Sequence, residues 1–99
     1  MYSKMYVVKN IHKDLVKRMK LSYAFGQRVR EILYEKKMTQ YRLEQLTGIY
    51  HSTMTAILGN KYKSANFKNM SLIIRELGCT YTEFFSSPLF DFNNLEIDE

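Results

Sequence analysis

The chain has 99 residues, of which 45% are hydrophobic and 25% charged, a composition typical of one globular domain and not of a disordered segment. Its formal charge of +5 is unevenly placed: residues 1–20 carry +5, residues 21–90 carry +4 and residues 91–99 carry −4. A basic body favours a polyanionic partner, because each Lys or Arg on a phosphate releases condensed counterions. Charge alone does not show whether the basic surface binds a polyanion or only keeps the protein soluble.

Other features of the sequence narrow the cellular setting. The one cysteine, Cys79, excludes an internal disulfide framework and fits a reducing cytoplasm. No apolar stretch approaches the ~20 residues that are needed to span a bilayer. The basic first residues lack the apolar run and the cleavage site of a signal peptide. We therefore expect a cytoplasmic protein without a membrane partner.

Residues 1–21 form a basic N-terminal extension. From Asn10 onward, Ile11, Leu15 and Met19 recur every four residues, which predicts a short amphipathic helix. Three interpretations stay open: the helix binds the polyanion, it packs on the rest of the chain, or translation begins at Met19 and the segment is absent from the natural protein. We favour packing.

Two helices are predicted next. Ser22 is a candidate N-cap for a helix over residues 23–37, and Thr39 is one for a short helix that ends near Leu46. Gly48 suits a left-handed stop, and the residue after it supplies an apolar plug for the turn. The apolar positions of the first helix follow the helical period and are Phe25, Val29, Ile32 and Leu33.

The third helix is predicted at His51–Leu58. At about 100° per residue, its side chains divide between two sides. The side predicted to face inward consists of Thr53, Met54, Ile57 and Leu58. The opposite, outward side consists of His51, Ser52, Thr55 and Ala56. Gly59 and Asn60 follow, and as residues tolerant of positive φ they are predicted to end the helix.

Two more helices are predicted toward the C-terminus. Asn66 is a candidate N-cap for a helix over residues 67–77. Thr80 and Glu83 form a complete capping box for a last short helix. The predicted buried positions of the longer helix are Phe67, Met70, Ile73, Ile74 and Leu77.

Residues 88–99 form an acidic tail that also holds five apolar side chains. A small monomer usually exposes less apolar surface than this, so the tail either folds back on the core or contacts a second copy of the chain. The predicted fold class is all-α: a compact five-helix domain over residues 22–87, with an additional short N-terminal helix.

The most informative stretch is TQYRLEQLTGIYHSTMTAILGNK, residues 39–61. It predicts two short helices joined by a tight turn, the second with an apolar side and a side of small polar groups. The major groove of B-DNA is about 12 Å wide and admits one helix, which contacts bases from one exposed face. Short side chains such as those of Ser52, Thr55 and Ala56 let that helix sit deep in the groove. The stretch therefore predicts a helix-turn-helix with His51–Leu58 as the recognition helix.

Residues 25–85 resemble the XRE family of lambda-repressor-like and Cro-like helix-turn-helix domains. The resemblance is an ordered series of caps, turns and core positions rather than one motif. It includes Phe25-Gly26-Gln27-Arg28-Val29-Arg30, Thr39-Gln40, Leu43, Thr47-Gly48-Ile49, Ser52-Thr53-Met54, Ile57, Lys61, Leu77-Gly78 and Thr82-Glu83-Phe84-Phe85. It implies a bacterial or phage transcriptional regulator with one five-helix DNA-binding domain.

The resemblance also implies which residues contact DNA. Bases are read from the outward side of the recognition helix, and the loop after that helix clamps the backbone. The implied base contacts are His51, Ser52, Thr55 and Ala56. The implied phosphate contacts are Gln40, Lys61, Tyr62 and Lys63. Tyr41 and Tyr50 flank the DNA-facing side, and their hydroxyls are further candidates for sugar or phosphate contact.

Three departures from the family pattern bear on these assignments. Glu44 stands where a small residue usually packs between the second and third helices, and it can shift the angle between them. Tyr50 replaces the usual serine cap of the recognition helix. The glycine that ends this helix comes one position early, at Gly59.

The preferred function is sequence-specific binding of double-stranded DNA by a transcriptional repressor, a nucleoid-associated homodimer on a pseudo-palindromic operator. One alternative is an antitoxin that binds its operator and a toxin partner; another is a protein–protein interaction module without DNA binding. We expect no enzyme, because phosphate-binding loops, nucleophile signatures and paired carboxylates are missing from the sequence. We expect no cofactor and no metal, since the two histidines and one cysteine lack the spacing of a zinc site.

Overall fold

The computed structural model describes residues 18–59 and 65–97. A two-residue strand, β1 (Met19–Lys20), leads into helix α1 (Leu21–Lys36). The elements that follow are α2 (Gln40–Thr47), α3 (His51–Leu58), α4 (Phe67–Glu76), α5 (Tyr81–Phe85), two 3-10 helices (Pro88–Phe90 and Phe92–Asn94) and strand β2 (Leu95–Glu96). The prediction of an all-α domain of five helices is confirmed.

Hydrogen bonds confirm the predicted N-caps of three helices. Thr39 Oγ1 accepts from the backbone N–H three residues later at 3.0 Å, and Asn66 Oδ1 does the same at 2.7 Å. At α5 the capping box is complete, because Thr80 Oγ1 accepts from the Glu83 N–H and the Glu83 carboxylate accepts from the Thr80 N–H. Each bond satisfies a donor that has no partner within the helix, so these side chains set where the helices begin.

The start of α1 differs from the prediction. Ser22 lies within the first turn rather than before it, and the helix begins at Leu21, directly after Lys20 in an extended conformation. Because β1 pairs with β2, a tertiary contact and not a local cap sets this boundary. Met19, predicted to be helical, therefore lies in a strand. The other positions of the predicted N-terminal helix lie outside the described residues.

One hydrophobic core joins the five helices. Its buried members are Phe25, Val29, Ile32, Leu33, Leu43, Ile49, Met54, Ile57, Leu58, Ile73, Ile74, Leu77 and Phe84. The prediction of Phe67 as buried is wrong, because its side chain is 73% exposed and stacks on Tyr81 with ring centroids 6.3 Å apart. The apolar stripe of α4 reaches full burial only at Ile73, more than one turn after the helix begins.

Hydrogen bonds from Arg28 connect α1 to α5. Its Nε donates to the Phe84 carbonyl oxygen at 2.6 Å, and its Nη2 donates to the Glu83 carbonyl oxygen at 2.9 Å. These carbonyls belong to the last turn of α5, where a helix leaves its acceptors without internal partners. An arginine on the polar face of α1 thus satisfies the end of a helix that is distant in sequence.

The described part of the acidic tail folds back on the domain. Strand β2 pairs in parallel with β1, with Met19 opposite Leu95, and Leu95 is 3% exposed. Phe90 packs against the core, and its ring centroid lies 4.9 Å from that of Phe85. These residues of the tail therefore fold back on the core, which was the first of the two alternatives. Phe92 stays 77% exposed.

Candidate nucleic-acid interface

Helices α2 and α3 form a helix-turn-helix. Gly48 has a φ of 77°, a left-handed conformation that costs other residues roughly 1–2 kcal/mol, and it turns the chain after α2. Ile49 is 8% exposed and anchors the turn in the core. Thr47 Oγ1 donates to the Leu43 carbonyl oxygen at 2.8 Å and accepts from the Ile49 N–H at 3.2 Å. Local bonds and one buried side chain therefore hold the turn.

The side chains of α3 divide largely as the helical period predicts. The buried ones are Met54, Ile57 and Leu58. The exposed ones are His51, Ser52 and Thr55, while Thr53 and Ala56 are half-buried at the boundary. The exposed side thus offers short side chains and hydrogen-bonding groups, and its histidine is its one titratable residue. Such a surface can approach base edges closely, because it carries no bulky or permanently charged group.

Helix α1 packs against the backbone at the C-terminal end of α3. A β-carbon on Gly26 would lie 2.7 Å from the Ile57 carbonyl oxygen, so glycine is required for the two helices to approach this closely. Arg30 Nε donates to the Leu58 carbonyl oxygen at 3.0 Å, and Nη2 of the same guanidinium donates to it as well. This arginine satisfies an acceptor that the helix end leaves free.

The residue after α3 is a glycine for a steric reason. Helix α3 ends before Gly59 as predicted, but the φ of Gly59 is −97°, so its tolerance of positive φ is not what the position uses. A β-carbon there would lie 2.7 Å from the Thr55 carbonyl oxygen, to which the Gly59 N–H donates at 2.8 Å. The tight last turn of α3 therefore leaves no room for a side chain. Asn60 lies outside the described residues.

Polar side chains of α2 hold the N-terminal end of α3. Within the described chain, Tyr50 makes no side-chain capping bond, as expected where it replaces a serine. His51 Nδ1 lies 2.7 Å from Glu44 Oε2, and Gln40 Nε2 donates to the same oxygen at 2.8 Å. Gln40 Nε2 also donates to Thr55 Oγ1 at 3.0 Å, and Thr55 Oγ1 lies 3.5 Å from His51 Nε2. We call these four side chains, Gln40, Glu44, His51 and Thr55, the polar ring.

The polar ring favours the ionised form of Glu44. The hydrogen bond from Gln40 is the main cause that lowers the pKa of Glu44 below its ordinary value of 4.5. The hydrogen bond and the electrostatic interaction with His51 lower it further, while partial desolvation of the carboxylate opposes both. The Glu44 side chain is 11% exposed. An ionised carboxylate only accepts hydrogen bonds, so the groups that face Glu44 must be donors.

The predicted phosphate contacts fall into three groups. Gln40 belongs to the polar ring, and both hydrogens of its amide nitrogen already have acceptors. Tyr41 and Tyr50 are 68% and 81% exposed, and the Tyr41 hydroxyl accepts from Gln45 Nε2 at 3.2 Å. The remaining candidates, which lie outside the described residues, are Lys61, Tyr62 and Lys63.

The roles of three residues were not predicted from the sequence. Glu44 was predicted only as a departure from the family pattern, and Arg28 and Arg30 only as members of the stretch that resembles the family. The four-residue spacing of Gln40 and Glu44 is a local signal for a side-chain bond on α2. The other contacts cross between helices, and no local spacing indicates them.

Comparison with known proteins agrees with this geometry. Residues 28–88, more than half of the chain, match the family model of the Cro/C1-type HTH DNA-binding domain. The chain belongs to this family. The resemblance seen at residues 25–85 is thereby confirmed. No curated protein and no solved structure matches the chain.

The matched part of this Cro/C1-type chain includes α2, the turn and α3, so the exposed side of α3 is the candidate DNA-contacting surface. Across the residues that the structure describes, no helix is both long and apolar enough to cross a membrane. Within residues 18–59 and 65–97, no group of three or more His, Cys, Asp or Glu is placed to hold a metal ion.

Proposed function

We propose that this protein represses transcription by binding a specific double-stranded DNA sequence, with α3 in the major groove. The division of α3 into a buried apolar side and an exposed side of short polar groups carries the proposal. The hydroxyls of Ser52 and Thr55 can bond to base edges, and the Ala56 methyl can contact a thymine methyl. His51 adds a ring nitrogen at the most exposed end of the helix, where its side chain is 77% exposed.

Phosphate contacts around α3 position the helix, while base contacts carry the sequence information. We assign the phosphate contacts to Gln40, Tyr41, Tyr50, Lys61, Tyr62 and Lys63. The exposure of Tyr41 and Tyr50 supports their assignment. Because the exposed side of α3 is nearly uncharged, we expect the basic residues around it to supply most of the salt-dependent affinity.

We further propose that the protein acts as a homodimer on a pseudo-palindromic operator, in the cytoplasm and in association with the nucleoid. Two recognition helices bind such an operator at half-sites one helical turn apart, about 34–36 Å. Phe92 and Ile97, which are 77% and 49% exposed, offer apolar surface for a contact between two copies.

Selection of bound sites from a randomised duplex library tests the proposal. We expect one enriched sequence with two half-sites at the stated spacing. Ser52→Trp puts a bulky side chain on the exposed side of α3 and should abolish the enrichment. Ser86→Trp, the same change at an exposed position after α5, should leave it intact. Uniform recovery of all sequences by the wild-type protein would contradict sequence-specific binding.

An antitoxin would use the same side of α3 for its operator and a second surface for a toxin. Site selection gives the same result for both functions, so co-expression with the product of a neighbouring gene and size-exclusion chromatography distinguish them. A stable complex with that product would favour the antitoxin function over that of a repressor without a toxin partner. Failure to retard any duplex DNA at low salt would indicate a protein–protein interaction module instead.

A further inference from the structure

Glu44 places a carboxylate beside the end of α3 that is expected to meet the bases. A negative charge there opposes the approach of DNA phosphates. Yet the side chain is 11% exposed and accepts two hydrogen bonds, from Gln40 and from His51. The carboxylate is therefore held in one place against the first residue of α3.

This geometry decides which nitrogen of His51 carries a proton. Nδ1 lies 2.7 Å from Glu44 Oε2, and an ionised carboxylate can only accept. The Nδ1 atom must therefore be the donor. In a neutral imidazole protonated at Nδ1, the other nitrogen, Nε2, is an acceptor.

Gln40 and Thr55 are oriented by the same logic. The amide nitrogen of Gln40, and not its oxygen, must face Glu44, and this nitrogen also donates to Thr55 Oγ1. The Thr55 hydroxyl keeps its own proton, which it can donate weakly to His51 Nε2 or outward to a base. Its separation of 3.5 Å from His51 Nε2 is too long for a strong bond, so Nε2 remains available to a ligand.

We propose that Glu44 is a positioning residue that makes His51 contact DNA through Nε2 as a hydrogen-bond acceptor. The partner is then an amino group in the major groove, which only adenine N6 and cytosine N4 provide. A ring with its proton on Nε2 would instead donate to a purine N7 or to a base carbonyl oxygen. The inference rests on the proposed function, because it takes α3 to lie in the major groove.

The proton on His51 can be located by ¹⁵N NMR of the full chain at about pH 8, above the ordinary histidine pKa of roughly 6.5. The chain has two histidines, and His51→Gln identifies which ring signals belong to this one. We expect a neutral ring protonated at Nδ1, and loss of that preference in Glu44→Ala. Glu35→Ala removes an exposed carboxylate of α1 and should leave the ring unchanged. A wild-type ring protonated at Nε2, or at both nitrogens, would overturn the proposal.

Base analogues test the contact in the DNA that the wild-type protein selects. The position read by His51 is the one at which His51→Ala relaxes the preference. An analogue without the amino group there, purine for adenine or pyrimidin-2-one for cytosine, should weaken wild-type binding about fivefold to tenfold. The same analogue should not weaken binding by His51→Ala. Sensitivity of the wild type to removal of a purine N7, with none to removal of the amino group, would overturn the proposal.

Glu44→Ala separates positioning of His51 from a purely structural role. Affinity for random duplex DNA should rise, because a carboxylate near the phosphates is lost, while the penalty for removing the amino group should fall below about twofold. Weaker binding to all DNA with the amino penalty retained would show a structural role and overturn the proposal. If the wild type enriches no sequence, the proposed function fails and this inference falls with it. Enrichment without dependence on the amino group contradicts the inference alone.

Discussion

The two ends of α3 are held in different ways. At the C-terminal end, α1 contacts the backbone of α3, through the close approach at Gly26 and the bonds from Arg30 to the Leu58 carbonyl oxygen. At the N-terminal end, the hydrogen bonds between α2 and α3 join side chains, from Gln40 to Thr55 and between Glu44 and His51.

In the proposed function, this difference separates the contacts that support α3 from the side chains that bind DNA bases. The close approach of Gly26 to the Ile57 carbonyl oxygen cannot change unless a helix moves, so this contact fixes the position of the C-terminal end of α3. Polar side chains can exchange hydrogen bonds with one another for bonds to bases, and a typical bond contributes only about 0.5–1.5 kcal/mol net. The N-terminal end can therefore change its bonds when DNA binds without disturbing the fold.

Gly26→Ala is expected to have the largest effect on stability. The new β-carbon would clash with the Ile57 carbonyl oxygen, and overpacking of this kind costs about 1–3 kcal/mol, against a gain of up to ~1 kcal/mol from the helix propensity of Ala. Urea denaturation measures the free energy of unfolding. Gln27→Ala, at the next position of α1, should change it by less than about 0.5 kcal/mol. Equal stability of the two variants would contradict a sterically fixed C-terminal end.

Neutralising Lys61 and Lys63, which follow α3 in the sequence, should weaken binding to every DNA sequence alike. The plot of log affinity against log salt should flatten by about one unit per lost phosphate contact. Fluorescence anisotropy over a salt series measures this slope, with Lys36→Gln at the exposed end of α1 as the control. A loss confined to one operator position would assign these lysines to base contact instead.

Arg30→Ala should cost less than the glycine change. The guanidinium is exposed, so water can replace part of its bond to the Leu58 carbonyl oxygen, and we expect a loss of about 0.5–1 kcal/mol. Arg30→Lys should not restore this stability, because an ammonium lacks the planar fork of the guanidinium. Thermal unfolding provides the measurement, and Arg42→Ala, an exposed arginine of α2, is the control. If Arg42→Ala lost as much stability as Arg30→Ala, the bond from Arg30 to the end of α3 would have no special role in stability.

Acid should weaken the polar ring, with the smallest effect on stability. Folding lowers the pKa of Glu44, so its contribution is present above the ordinary value of 4.5 and is lost as pH falls through the lower folded value. The difference in unfolding free energy between wild type and Glu44→Gln should therefore shrink below about pH 4.5. A difference that does not change with pH would show that ionisation of this carboxylate does not stabilise the fold.

Local signals in the sequence predicted most of the helices but not the extent of the core. The caps at Thr39, Asn66 and Thr80 could be predicted, because each bond closes within four consecutive residues. The helical period likewise separates the two sides of α3. The same period predicts Phe67 as buried, but it cannot show that the first turn of α4 extends beyond the edge of the core.

In the candidate site too, the sequence predicted some residues and not others. Its exposed residues, His51, Ser52 and Thr55, follow from the period of one helix. The residues that hold the helix do not, because their contacts depend on how separate helices pack.

By itself, the sequence determined where α2, α4 and α5 begin and which side of α3 is apolar, since caps and periods act over a few neighbouring residues. Only the tertiary structure decided what holds each end of α3. Arg30 is 28 residues from the carbonyl that it caps, and Glu44 reaches His51 across a turn. Bonds of this kind require two helices to meet at a given distance, which no local pattern specifies.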